Sequence, residues 1–122
     1  MSKRAAVAIA SVLAGCAAAP LVPGVPKDVR GQRLPPREVH EECFAMARGD
    51  VVKWRFAADE AVDFAVQFRD GKAVVLPLAR ERVTADEGRF AALVAERYCL
   101  TWEAGRMGVS LDYVLDLVAA PR

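Results

Sequence analysis

From Glu38 onward, large apolar residues recur at every second position. Val52, Trp54 and Phe56 alternate with Val51, Lys53 and Arg55. Val62, Phe64, Val66 and Phe68 alternate with Asp63, Ala65, Gln67 and Arg69. Tyr98, Leu100 and Trp102 alternate with Cys99, Thr101 and Glu103, and Val109 to Leu117 repeats the pattern. Such alternation marks half-buried β-strands, because successive side chains of a strand point to opposite faces. Asp70-Gly71 predicts a tight hairpin, and Gly49-Asp50, Asp86-Glu87-Gly88 and Gly105 punctuate the other runs. Pro77 assigns part of Ala73–Leu78 to a sheet edge or a bulge, since proline donates nothing to the ladder. Asp86–Arg97 reads two ways. Phe90, Leu93, Val94 and Arg97 share a helical face, whereas a strand puts Phe90, Ala92 and Val94 on one side. The strand is preferred because its neighbours are strands. Roughly seven or eight short strands predict an all-β fold, an antiparallel β-sandwich of jelly-roll-like course.

The opening residues follow a different pattern. Lys3 and Arg4 precede the apolar run Ala5–Leu13, which ends in Leu13-Ala14-Gly15-Cys16. This is the layout of an export signal, and it is shorter than the about 20 apolar residues that span a bilayer. Leu-Ala-Gly-Cys resembles the lipobox of bacterial lipoproteins. The resemblance implies cleavage before Cys16, thioether lipidation of that cysteine, and fatty acylation (palmitate, for instance) of the new amino terminus. Ala17 in place of an aspartate favours the outer membrane, facing the periplasm, with the inner membrane left open. Residues 1–15 are then a lipoprotein signal peptide. Residues 16–37 are the lipidated cysteine and a tether, and residues 38–122 are the sandwich. Five of the seven prolines fall between Pro20 and Pro36, where large apolar side chains are few. An extended, unpacked tether of this length reaches about 60 Å.

Charge narrows the function. The chain has 17 basic and 16 acidic side chains, and removal of the signal takes Lys3 and Arg4 but no acid. A near-neutral mature chain lacks the basic excess of a nucleic-acid binder or a polybasic membrane patch. Membrane attachment rests on the lipid anchor. Besides Cys16 the chain holds Cys43 and Cys99. An even pair in an exported domain reads as a disulfide, with two free buried thiols as the alternative. Both cysteines oppose the large apolar face of their strands, Phe44 and Met46 in one case, Tyr98, Leu100 and Trp102 in the other. A bridge therefore requires the two strands to be neighbours, with both sulfurs outside the core.

Several short elements resemble the Golgi dynamics (GOLD) domain. They are Glu42-Cys43-Phe44, Gly49-Asp50 leading to Trp54 and Phe56, Val62-Asp63-Phe64, and Tyr98-Cys99-Leu100-Thr101-Trp102. The resemblance covers about residues 38 to 118. It implies a jelly-roll-like sandwich, a disulfide between the early and late cysteines, and a non-catalytic role in recognising protein or lipid beside a membrane.

Candidate chemistry is sparse. His40 is the single histidine and reads as a surface residue. Ser110 has no histidine near it in sequence, so a nucleophile, base and orienter are not assembled. Asp112 and Asp116 read as a solvated strand face rather than a glycosidase pair. Asp59, Glu60 and Asp63 read as a polar turn, since the calcium-loop spacing is missing. Trp54, Phe56, Tyr98 and Trp102 are candidates for a sugar platform, with core packing preferred. Val75, Leu93, Val114 and Val118 are candidates for an apolar patch. No metal or cofactor is expected. The chain is expected to be a lipid-anchored, non-catalytic binding or adaptor module recognising an envelope protein or lipid. The alternatives are a structural subunit of an envelope complex and a carbohydrate-binding sandwich.

Overall fold

The structure, a computed structural model, describes residues 20–121. Cys16 and the signal segment lie outside the described residues. Six strands follow in order: β1 (Lys27–Leu34), β2 (Val39–Met46), β3 (Val51–Asp70), β4 (Ala73–Ala91), β5 (Glu96–Ala104) and β6 (Val109–Val118). All pairings are antiparallel, in the order β1-β6-β3-β5-β2, with β4 on the other edge of β3.

The length of β3 explains the architecture. Its first half, Val51–Ala58, pairs with β6, and its second half, Val62–Gln67, pairs with β5. Between them its register with β4 slips, from Ala57 opposite Ala85 to Val62 opposite Val83. A bulge of this kind bends a strand and lets it pass from one layer to another. One sheet therefore curls over on itself. A β1-β6-β3-β4 layer faces a β2-β5-β3-β4 layer, and the two runs expected as separate strands are one. The sandwich is thus a single hydrogen-bonded sheet of six strands rather than two sheets of seven or eight.

The alternating residues fill the space between the layers. Trp54, Phe56, Phe64, Tyr98, Leu100, Trp102, Leu111, Tyr113 and Leu115 are all buried. The Phe64 ring lies 5.2 Å from Trp54, 4.9 Å from Phe56 and 5.5 Å from Trp102, closing the two halves of β3 onto each other. Aromatic pairs at these separations add to the gain from burial alone.

Three expectations need correction. The tether does not run unpacked to residue 37. Leu21 is buried, Lys27–Leu34 is strand β1, and Leu34 closes the core. Asp28, Arg30 and Arg33 point outward while Lys27 turns inward to Glu42, and the pattern is broken by a register shift between Val29 and Gln32, where Gly31 has a φ of 68°. Asp86-Glu87-Gly88 is not a turn either. It lies inside β4, where Gly88 stands opposite Trp54 and Asp86 accepts the Trp54 indole N–H at 2.9 Å. A Cβ on Gly88 would come within 2.8 Å of the Trp54 ring, so glycine makes room for the indole. Finally, Asp86–Arg97 is neither a helix nor one strand. Residues 86–91 end β4, residues 92–95 form a loop, and β5 begins at Glu96. Pro77 does lie on the edge strand, beside the register shift between Val66 and Phe68.

Candidate binding face and the polar seam

The two faces of the β2-β5-β3-β4 layer carry different chemistry. Cross-strand partners share a face, so the pairings define rows on the outer side. Val39 pairs with Glu103, which pairs with Asp63. Glu41 pairs with Thr101, then Ala65, then Ala79. Cys43 pairs with Cys99, which pairs with Gln67. A disulfide joins Cys43 to Cys99, with the Cα atoms 4.0 Å apart. Cross-linking positions 56 residues apart stabilises the fold by about 4 kcal/mol through the lost freedom of the unfolded chain. Glu41, Cys43 and Cys99 are the one close grouping of metal-ligating residue types among the described residues. With both sulfurs in the bridge, no thiolate remains to bind an ion.

The first two rows line a groove of about 380 Å³, together with Gln67 and with Leu76 and Arg80 of β4. Its apolar lining comes from Val39, Ala65, Leu76 and Ala79, its acids are Glu41, Asp63, Glu81 and Glu103, and Arg80 is its one base. Asp63 and Glu103 stand directly opposite each other. Like charges in that arrangement repel and cost stability. Asp63 offsets part of this by accepting the Arg82 amide at 2.9 Å, at a corner where Arg82 has a φ of 55°.

The inner side of the same layer holds a polar seam. Glu42 is buried and meets Lys27 of β1 at 2.9 Å. Tyr113 donates its hydroxyl proton to Glu42, and His40 Nε2 lies 2.8 Å from the Tyr113 oxygen. Since the hydroxyl has one proton and gives it to the carboxylate, the imidazole donates through Nε2. Trp102 stacks on Tyr113 at 4.7 Å and lies 5.8 Å from His40. β1 and β2 are the two ends of the curled sheet and share no ladder. The Lys27–Glu42 pair therefore closes the open side with side chains. Burial pushes the Tyr113 hydroxyl far above its usual range, and Glu42 adds to this through its hydrogen bond and its charge. Burial pulls His40 below its usual value. Lys27 acts in the same direction, against the Glu41 and Glu42 charges.

His40 is accordingly not a surface residue. It shares the inward side of β2 with Glu42, Phe44 and Met46. The polar seam was the signal that sequence reasoning missed. Its residues come from β1, β2, β5 and β6, far apart in the chain. The other sequence candidates serve the backbone. Asp59 accepts the Ser110 amide at 2.8 Å, and Asp112 accepts the Gly31 amide at 2.7 Å. Asp116 stands opposite Lys53. Trp54, Phe56, Tyr98 and Trp102 are all buried, so none is available to stack on a sugar. Val75, Leu93, Val114 and Val118 do not form one patch. Val75 pairs with Phe68 in one layer and Val114 with Arg55 in the other.

The chain thus has the architecture of an all-β protein built on one curled antiparallel sheet. No protein-family model matches it, and no curated protein matches it by sequence. Among solved structures it is similar to PliG of Aeromonas hydrophila, a periplasmic lysozyme inhibitor of g-type lysozyme. The TM-score is 0.54 and the identity 11%, over 75% of this chain and 85% of that one. At this identity the likeness is one of fold.

Proposed function

We propose that the chain is a lipid-anchored, non-catalytic envelope protein that binds a cationic protein through the acidic groove of the β2-β5-β3-β4 layer. The observation that carries this reading is the Asp63–Glu103 pair in a groove that Glu41 and Glu81 also line. A face that holds like charges opposite one another gains when a partner supplies the missing positive charge, and such complementarity steers association. The disulfide and the bulged corner hold the face rigid, so little ordering is required on binding. The GOLD-like order of motifs supports recognition rather than chemistry. The fold it shares with PliG makes a g-type lysozyme the first partner to try. Lipidation of Cys16 and attachment at the outer membrane belong to the same proposal and rest on the lipobox.

The test is titration of the mature chain, carrying Cys16→Ser to omit the lipid, against g-type lysozyme, read by calorimetry and by lysis of cell walls. A one-to-one complex that suppresses lysis, weakens with salt and is lost in Glu103→Lys supports the reading. A complex indifferent to Glu103→Lys would reject the groove. Lack of binding at micromolar concentration would reject this lysozyme as the target. For the anchor, a Cys16→Ser chain that stays with the membrane at high salt rejects lipidation.

A further inference from the structure

The leading segment of the chain is moored at one end of the sandwich. Leu21 is buried in the core, and Pro23 bridges Leu117 near the end of β6. The Gly24 amide donates to the Leu117 carbonyl at 3.0 Å, and the Val25 amide to the Val22 carbonyl at 3.3 Å. Gly24 has a φ of 81°, which closes this tight turn. The same end gathers three more segments. Asp50 accepts the Ala120 amide at 2.8 Å and the Ala47 amide at 2.9 Å through its carboxylate. The Gly49-Asp50 backbone exchanges hydrogen bonds with Ala92: the Ala92 amide donates to the Asp50 carbonyl at 2.9 Å and the Gly49 amide to the Ala92 carbonyl at 2.8 Å.

This end exposes apolar side chains. Leu93 is 78% exposed, the highest among the exposed large hydrophobic residues, and Val22, Val25, Val94 and Val118 are exposed as well. The loop that carries Leu93 is held from both sides, by the Ala92 bonds and by the Tyr98 hydroxyl donating to the Val94 carbonyl at 2.8 Å. Its exposure is a built feature of the loop. Exposed Arg48 lies in the adjoining turn.

We propose that this end seats on the lipid bilayer that carries the Cys16 acyl chains, with Leu93 and Val94 in the headgroup boundary. The proposal rests on the lipidation reading and adds an orientation to it. Chain length decides the occupant. From Cys16 to buried Leu21 the backbone extends at most about 18 Å, far less than the reach of an unpacked tether to residue 37. A domain moored so close cannot stand clear of the membrane, and the mooring point selects which end faces it. The acyl chains hold the protein at the bilayer, and apolar side chains beside them add a contact that fixes which end faces it. The orientation also leaves the acidic row accessible. Val39, Asp63 and Glu103 lie toward the opposite end, near the 105–108 turn that carries Met107.

The experiment uses the full chain, matured in a bacterial host and reconstituted in phosphatidylethanolamine–phosphatidylglycerol vesicles. Leu93→Cys and, separately, Met107→Cys receive an environment-sensitive fluorophore; both positions are exposed, so folding is retained. The mass of each protein reads acylation. The expected result is an acylated chain whose label at position 93 shifts to the blue. That label is quenched by lipid-borne nitroxide and is several-fold protected from iodide, while the label at position 107 stays open to iodide. Equal iodide quenching at both positions of an acylated chain overturns the docking alone. Protection at position 107 with exposure at position 93 reverses the orientation and overturns it too. An unmodified mass overturns the anchor, and the docking falls with it.

Discussion

Glu41 and Glu42 are neighbours in the chain with opposite surroundings. Glu42 points into the sandwich, where Lys27 pairs with it and the Tyr113 hydroxyl, itself held by His40, donates to it. Glu41 points outward, into a groove whose other acids include the mutually opposed Asp63 and Glu103. Strand parity alone separates the two. The inner carboxylate is desolvated and matched within the chain, so it holds structure. The outer ones are hydrated and poorly matched within the chain, so their complement is to be sought in another molecule. A charge that its own fold has satisfied is weak evidence of function, while one left opposing its like is better evidence.

The largest expected effect concerns the bridge that backs the outer face. Replacing both Cys43 and Cys99 by Ala removes about 4 kcal/mol of stability by the chain-entropy argument. Urea unfolding of the oxidised and substituted chains gives the difference directly. A change below about 1 kcal/mol would show that this cross-link does not restrict the unfolded chain as its span implies.

Next comes the seam. Glu42→Ala leaves Lys27 without its carboxylate and the Tyr113 hydroxyl without its acceptor, in largely desolvated positions. Breaking a buried pair typically costs about 3–5 kcal/mol. The lower end is expected, because the lysine stem is long enough for its ammonium to shift toward water. Glu41→Ala, one residue away, should stay within about 0.5 kcal/mol, as surface changes do. Equal losses in the two variants would break the comparison between the faces.

That pair of substitutions also shows what the sequence could disclose. Alternation identified the inward rows of β3, β5 and β6, because Trp54, Phe64, Leu100, Trp102 and Leu115 announce their own burial. It also located both cysteines on the outer side. It missed β1, whose eight residues Lys27–Leu34 are mostly polar and whose period is interrupted at a bulge. It divided β3 at Ala57–Ala61, where small and acidic residues cover a bend that continues the strand. His40 and Glu42 share the parity of Phe44, but a polar residue on an inward position is visible only once its partners are known. Those partners, Lys27 and Tyr113, come from strands that fold next to β2 across the open side. The acidic row was hidden for a related reason. Asp63 and Glu103 are ordinary surface acids until the register brings them face to face.

The seam should also respond to pH. His40 has a lowered value in the folded chain, so its contribution is present above the unfolded value of about 6.5 and is lost as pH falls below it. Tyr113 has a raised value, so its contribution is intact below about pH 10 and declines at more alkaline pH. The Tm is expected to fall on both sides of this window. His40→Gln should flatten the acidic limb relative to the parent, and Tyr113→Phe the alkaline one. An unchanged acidic limb in His40→Gln would assign the loss to other groups.

The smallest stability change belongs to the outer row, and it separates the two faces most sharply. Glu103→Gln removes one of two opposed charges while keeping the size and polarity of the side chain. Relief of a cross-strand like-charge contact is worth about 0.2–0.5 kcal/mol, so the variant should be as stable as the parent or slightly more so. Raising the salt concentration should shrink that gain, because the two acids are exposed and their repulsion is screened. The same variant should bind a cationic partner less tightly and on a shallower salt dependence. A surface residue whose removal improves the fold and impairs recognition is maintained against its own stability. If Glu103→Gln instead destabilises the chain by more than about 1 kcal/mol, the outer acids are structural like Glu42, and the groove loses its claim to be the binding face.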